Sequence, residues 1–232
     1  MSEEPKKNNV IEINGLEKEY RREGETVTVL KNLDLSIPAG KIASVEGASG
    51  AGKSTLLNII GTIDTATGGS VVIQGQEVSS MSPREKEAFR AGSLGFIFQH
   101  HYLLPDFTVL ENVMMPMLIQ RKAKSLAREK AVEALTRVGL AGRLDHYPTQ
   151  ISGGEMARSG VARALVGDKQ VILADEPTGN LDRANSDSLA NDLWKLQEEL
   201  KFTLLIVTHD QELASRVPIR YFLRDKKLEA MN

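Results

Sequence analysis

The chain has 232 residues, room for one sizeable domain with a buried core. Lys plus Arg number 29 and Asp plus Glu 31, and the formal net charge of -2 gives no support to wholesale nucleic-acid binding. There is no cysteine, which excludes disulfides, thiolate metal sites and cysteine nucleophiles.

In chain order, Met1 to Asn9 is polar, carries Glu3, Glu4, Lys6 and Lys7, and lacks the apolar segment of a secretory signal. Val10 to Ile13 and Ile42 to Val45 read as strands. A glycine-rich turn follows the second, and a helix is expected from Thr55 to Ile60. Val71 to Ile73 and Leu94 to Phe98 are the next strands. From about Glu111 to Gln150 strand signals vanish, and Ser125 to Val138 is helical with Ala131, Leu135 and Val138 on one stripe. Val171 to Ala174 and Leu204 to Thr208 are almost continuously apolar, the pattern of parallel strands covered on both faces. Between them Asp187 to Leu200 is expected to be a helix with Leu189, Leu193, Leu196 and Leu200 on one face. No stretch approaches the roughly 18 uncharged apolar residues of a membrane helix. If the protein works at a membrane, another chain does the spanning.

Residues 47–54 read Gly-Ala-Ser-Gly-Ala-Gly-Lys-Ser, which fits G-x-x-x-x-G-K-[ST]. The glycines let the backbone curl so that successive N–H groups converge on phosphate oxygens. Lys53 supplies a point charge to the β and γ phosphates, and Ser54 offers its hydroxyl to Mg²⁺. A strand before and a helix after is the required context. A second acidic site follows the strand that ends at Ala174. Asp175 suits the Mg²⁺ shell, and Glu176 can accept a proton from an attacking water.

Ser152-Gly153-Gly154-Glu155, with Arg158 and then Ala162-Arg163-Ala164-Leu165, resembles the signature motif of ABC transporter ATPases. The resemblance extends over nearly the whole chain. Tyr20 looks like the aromatic that stacks on adenine, Gln99 like the Q-loop glutamine, Asp182 in Gly179-Asn180-Leu181-Asp182 like the D-loop, and His209 like the switch histidine. Ser152 to Glu155 is also a capping box, S-x-x-E, opening a helix.

The resemblance implies an α/β P-loop NTPase core with a parallel sheet, an N-terminal antiparallel β subdomain and an inserted helical subdomain. The expected division is one domain over 1–232, with a nucleotide-binding core at about 10–99 and 166–232 and a helical lobe at about 100–165. ATP would contact Tyr20, Gly47, Ala48, Ser49, Gly50, Ala51, Gly52, Lys53, Ser54, Thr55 and Gln99. Ser54, Gln99 and Asp175 would hold Mg²⁺, with Glu176 and His209 catalytic. Ser152, Gly153, Gly154 and Glu155 would face the ATP of a second subunit in a head-to-tail homodimer. Integral membrane permease subunits would dock near Gln99 to Met117, at the cytoplasmic face of a bacterial inner membrane, where the ATPase sits peripherally without touching the cargo.

His100 to Thr108, Leu110 to Val113 and Asp175 to Asp182 look like the branch that holds the lipoprotein-releasing ATPases and the MacB-type efflux ATPases, and Leu104-Pro105-Asp106-Phe107-Thr108 favours the former. Met114, Met115 and Met117 next to it fit either an adaptable docking surface or ordinary core. Departures from the family pattern are Glu46 before the loop, Ile151, Met156-Ala157 and Ser159-Gly160. A cell-division-linked ATP-binding module and a soluble ABC ATPase acting on DNA ends or ribosomes are the alternatives. The latter fits poorly, since the chain has no sustained heptad run and room for one such domain.

Overall fold

A computed structural model describes residues 9–22 and 24–231. The reading of Met1 to Asn9 lies outside them but for Asn9. The elements run β1 (Asn9–Arg22), β2 (Glu25–Pro38), β3 (Ile42–Glu46), α1 (Lys53–Ile60), β4 (Gly68–Ile73), β5 (Gln76–Glu77), α2 (Pro83–Ser93), β6 (Leu94–Phe98), α3 (Val109–Ile119), α4 (Lys124–Arg137), α5 (Gly153–Leu165), β7 (Val171–Asp175), α6 (Arg183–Leu200), β8 (Thr203–Thr208), α7 (Gln211–Ser215), β9 (Ile219–Arg224) and β10 (Lys227–Met231). They fall into two compact units, Met1–Lys86 with Val207–Asn232, and Glu87–Ile206.

The first unit holds an antiparallel sheet in the order β2-β1-β4-β5. Alternation builds it. Leu33, Leu35 and Ile37 of β2 point inward between exposed neighbours, and Ile13 and Ile11 of β1 pair with Leu35 and Ile37 on one side and with Val71 and Ile73 on the other. All of these side chains are at most 4% exposed, and each contributes about 2 kcal/mol by burial. In the same unit β3 pairs in parallel with β9, and β9 turns back into β10. Asp225 and Lys226 at that turn have φ of 48° and 66°, the left-handed pair that matches a two-residue hairpin to the strand twist.

In the second unit β6 and β7 pair in parallel from Leu94↔Val171 to Phe98↔Asp175, and β8 lies on the far side of β7. Val171 to Ala174 and Thr203 to Thr208 are buried throughout, as strands covered on both faces must be. Helix α5 packs directly on β6. A Cβ at Gly95 would meet the Ala164 carbonyl oxygen at 2.1 Å, so only glycine admits that approach. Helices α3, α4 and α5 pack on one another, and Ala127, Ala131, Ala134 and Leu135 form the buried stripe of α4. The segment from Glu111 to Gln150 contains no strand, as expected.

Two expectations are corrected. The helix after the phosphate loop begins at Lys53, not Thr55, because the loop closes on the helix itself and Gly52 serves as its N-cap. Leu200 does not belong to the buried face of α6. Leu189, Leu193 and Leu196 are buried, but Leu200 is 40% exposed, because the helix stops there with Lys201 in the left-handed conformation.

Candidate functional site

In the first unit the phosphate loop leaves β3 at Glu46. A Cβ at Gly47 would meet the Leu223 carbonyl oxygen at 2.6 Å, so β9 presses against the loop where it starts. Gly50 and Gly52 have φ of 78° and 106°, values that residues with a Cβ avoid. Ala48, Ser49 and Gly50 are exposed, whereas Lys53 is buried at 7% exposure. The Lys53 ammonium donates to the Gly47 and Ala48 carbonyl oxygens at 2.8 and 3.0 Å, so the loop wraps its own lysine. Helix α1 has no side-chain cap and no acidic residue in its first turn. The positive end of its dipole is thus directed at the loop, an arrangement that suits a phosphate group.

Glu46, whose partner the sequence does not reveal, is 4% exposed. Arg220 of β9 donates to both of its oxygens, Nε at 2.8 Å and Nη2 at 3.0 Å. The carboxylate is therefore compensated in the sheet, and it in turn raises the Arg220 pKa.

Tyr20 is 41% exposed on β1. Its hydroxyl donates to Asp64 Oδ2 at 2.6 Å. The Lys18 ammonium lies 4.4 Å from its ring centroid and donates to Asp64 Oδ1 at 2.6 Å and to the Thr65 carbonyl at 2.8 Å. His209 is exposed, between β8 and Asp210, whose side chain caps α7 by accepting from the Glu212 and Leu213 N–H groups.

In the second unit the parallel register sets Phe98 beside Asp175, so Gln99 and Glu176 both follow the C-terminal ends of neighbouring strands. Glu176 has φ of 45°, an unusual conformation for a residue with a long side chain. Its carbonyl accepts from Gly179 N–H at 3.0 Å, and the turn carries Asn180 to Gln99. Asn180 Nδ2 donates to the Gln99 carbonyl at 2.9 Å, and Gln99 Nε2 donates to Asn180 Oδ1 at 3.3 Å.

Ser152 accepts from the Glu155 N–H at 3.2 Å, and Glu155 Oε2 accepts from the Ser152 N–H at 2.8 Å, the capping box read from the sequence. Arg143 Nε donates to Glu155 Oε1 at 2.7 Å. The Ser152 N–H first, then Arg143, hold the Glu155 carboxyl at a pKa of about 2. Ser152 and Gly153 remain exposed at the tip of α5, and Gly154 is buried against Asn185, where a Cβ would meet Oδ1 at 2.7 Å. Asn185 donates from its side chain to Asp182 Oδ2 at 2.6 Å and from its backbone to Asp182 Oδ1 at 2.9 Å, which caps α6. Gly154 and Asp182 thus meet through Asn185.

The segment after Gln99 is fixed from two helices. Asn112 of α3, 1% exposed, donates to the Leu104, Phe107 and Thr108 carbonyls and accepts from the Leu104 N–H. Arg163 of α5 donates to the carbonyls of His101 and Tyr102, both in the left-handed region. Of the methionines, Met114 and Met117 are core, 3% and 4% exposed. Tyr102, Leu104, Phe107 and Ile119 are the exposed apolar residues here. Lys18, Asp64, Arg143 and Arg220 escape sequence reasoning because each acts through a partner far along the chain, and Asn185 because its approach to Gly154 is a tertiary contact.

Among the described residues no helix is long and apolar enough to cross a membrane. The ABC transporter family model matches residues 30–179. The lipoprotein-releasing system ATP-binding protein LolD of Pseudoalteromonas translucida is 46% identical over 94% of this chain and 94% of its own length. That of Treponema denticola is 44% identical over 95% of this chain and 97% of its own. Among solved structures, the dimeric structure of MJ0796, a bacterial ABC transporter cassette, superposes with a TM-score of 0.86 at 35% identity and covers 96% of this chain and 99% of that one. A second structure of the same cassette, in a post-hydrolysis state bound to ADP and Pi, matches equally well. With the phosphate loop, the acidic strand end and the signature capping box all in place, the chain belongs to the ABC transporter family as an ATP-binding, ATP-hydrolysing domain.

Proposed function

We propose that this ATPase powers the release of lipoproteins from the inner membrane, as the energy-coupling subunit of a membrane complex. The observation that carries this reading is the near-full-length similarity to lipoprotein-releasing ATP-binding proteins. Two copies would form a head-to-tail homodimer, with the Ser152 to Gly154 tip of one copy closing on the phosphate loop of the other. The dimeric form of the related cassette supports that arrangement.

In this reading ATP supplies the phosphoanhydride bond whose hydrolysis drives the cycle, and Mg²⁺ neutralises its phosphate charge. Lys53, Ser54 and the uncapped α1 terminus bind the phosphates. Ser54, Gln99 and Asp175 are the proposed Mg²⁺ ligands. Glu176 takes the proton of the attacking water, and His209 contacts the γ-phosphate. Asp182 and Glu155 hold the D-loop and signature helices. The nucleotide-binding core at about 10–99 and 166–232 and the helical lobe at about 100–165 divide binding from coupling. Tyr102, Leu104 and Phe107, exposed in the segment that begins at Gln99, are the proposed seat of a permease subunit at the cytoplasmic face of the membrane.

The experiment is co-purification of the ATPase from membranes, followed by release of a lipoprotein from proteoliposomes rebuilt with its partner. ATP-dependent release is the expected result. Transport of a soluble small molecule without lipoprotein release would instead favour a MacB-type efflux role.

A further inference from the structure

The contacts around Tyr20 go beyond a lone aromatic at the edge of a nucleotide site. Two charged groups converge on its side chain. Asp64 takes the hydroxyl proton at 2.6 Å, and the Lys18 ammonium sits 4.4 Å from the ring centroid while bonded to the same carboxylate. The Asp64 carboxylate also accepts from the Thr65 N–H at 2.6 Å. Lys18 is 7% exposed, so its bonds to Asp64 and Thr65 are partly shielded, whereas the Tyr20 hydroxyl meets Asp64 at the surface. Burial works against the Asp64 charge, but Lys18 and Tyr20 outweigh it and hold the carboxyl below its ordinary pKa. The hydrogen bond to Asp64 raises the Tyr20 pKa, so the hydroxyl remains a donor.

We infer that Lys18 and Asp64 are positioning residues that fix the Tyr20 ring as the platform for the purine base of ATP. This rests on the reading of Tyr20 as the adenine-stacking residue and adds what holds it. An exposed tyrosine has free side-chain torsions, and ordering it on ligand binding costs affinity. Anchoring the hydroxyl to Asp64 removes that cost before the base arrives. The ammonium lies on the ring by a cation–π contact and draws electron density from it, which favours stacking of an electron-rich purine.

The test measures equilibrium binding of ATP and of inorganic tripolyphosphate, which lacks the base, to the full chain and its variants. Tyr20→Ala should weaken ATP about tenfold, within the range of base-stacking losses. Tyr20→Phe, which keeps the ring and loses the hydroxyl, and Asp64→Ala should each weaken ATP several-fold, and the double variant should be no worse than either. Tripolyphosphate affinity should stay unchanged in all of them. If Tyr20→Ala leaves ATP affinity intact, the stacking reading fails and takes the inference with it. If Tyr20→Ala weakens ATP but Tyr20→Phe and Asp64→Ala do not, only the positioning role is overturned. Equal loss for ATP and tripolyphosphate would also overturn it, since it would mark a general disturbance of the phosphate loop.

Discussion

The Glu46 carboxylate receives both Nε and Nη2 of Arg220, from the neighbouring parallel strand, immediately before the phosphate loop begins. A bidentate guanidinium satisfies the geometry of a carboxylate that has almost no access to water. Removing one partner is far worse than removing both, because it leaves a charge buried alone. Arg220→Leu is therefore expected to destabilise the chain by about 3 kcal/mol, the low end for a buried pair since the arginine side chain is 29% exposed. Glu46→Val with Arg220→Leu should recover most of that loss. Denaturant midpoints check it, and a double variant as unstable as the single one would refute the pairing.

A second expectation separates binding from chemistry. Lys53→Ala removes the ammonium around which the loop carbonyls of Gly47 and Ala48 fold, and should abolish detectable ATP binding. Glu176→Gln keeps the size of the side chain and loses only its basicity, so ATP should still bind while turnover falls about 100-fold or more. Phosphate-release kinetics and nucleotide binding, measured on both variants, decide it. Normal turnover by Glu176→Gln would remove Glu176 from the role of base.

The strong periodicities and the fixed-spacing motifs were legible without coordinates. Leu94 to Phe98 reads as a strand from its own side chains, and the glycines of residues 47–52 declare a phosphate loop because only that residue tolerates the required turns. Less legible was whatever depends on a partner far along the chain. Strand β9 carries Arg220 and Arg224 without regular alternation, and β10 is five residues long and largely exposed, so neither declares itself and their pairing is a tertiary effect. Glu46 looked unpaired because its arginine lies 174 residues away, and the Tyr20 anchor lies 44 residues away in a turn with no motif of its own. Met114 and Met117 fit surface or core by composition, with ordinary core packing the favoured reading for each, and helix packing puts them inside.

The signature capping box gives a pH dependence with a definite sign. Glu155 has a folded pKa of about 2 against an ordinary 4.5, first through the Ser152 N–H and then through Arg143. A depressed carboxyl contributes stability that is fully present above its unfolded pKa and is lost as pH falls through the folded one. Glu155→Gln should therefore cost about 1 kcal/mol at neutral pH, the usual scale of a helix cap, and that difference should shrink as pH falls from about 4.5 towards about 2. The Arg143 contact adds little, since its side chain is 45% exposed. Unfolding of both proteins across that range tests it, and a constant difference would exclude the ionised carboxylate as the cause.

Two glycines of the same helix should respond to alanine with opposite signs. At Gly160 a Cβ would meet only the His101 Cβ, at 3.9 Å, which is ordinary contact. Gly160→Ala should stabilise the chain by about 1 kcal/mol through helix propensity alone. At Gly154 a Cβ would lie 2.7 Å from Asn185 Oδ1. Asn185 must then swing away and release its 2.6 Å bond to Asp182, which is itself the cap of α6. Gly154→Ala should therefore lower stability and slow ATP turnover together, because it disturbs the signature tip and the D-loop at once. Adding Asn185→Ala should relieve the clash and return part of the stability, while turnover stays low because Asp182 Oδ2 still lacks its side-chain partner. Thermal unfolding and turnover measured on the four proteins separate these effects. If the double variant is no more stable than Gly154→Ala, the contact between Gly154 and Asn185 is not what excludes a side chain there.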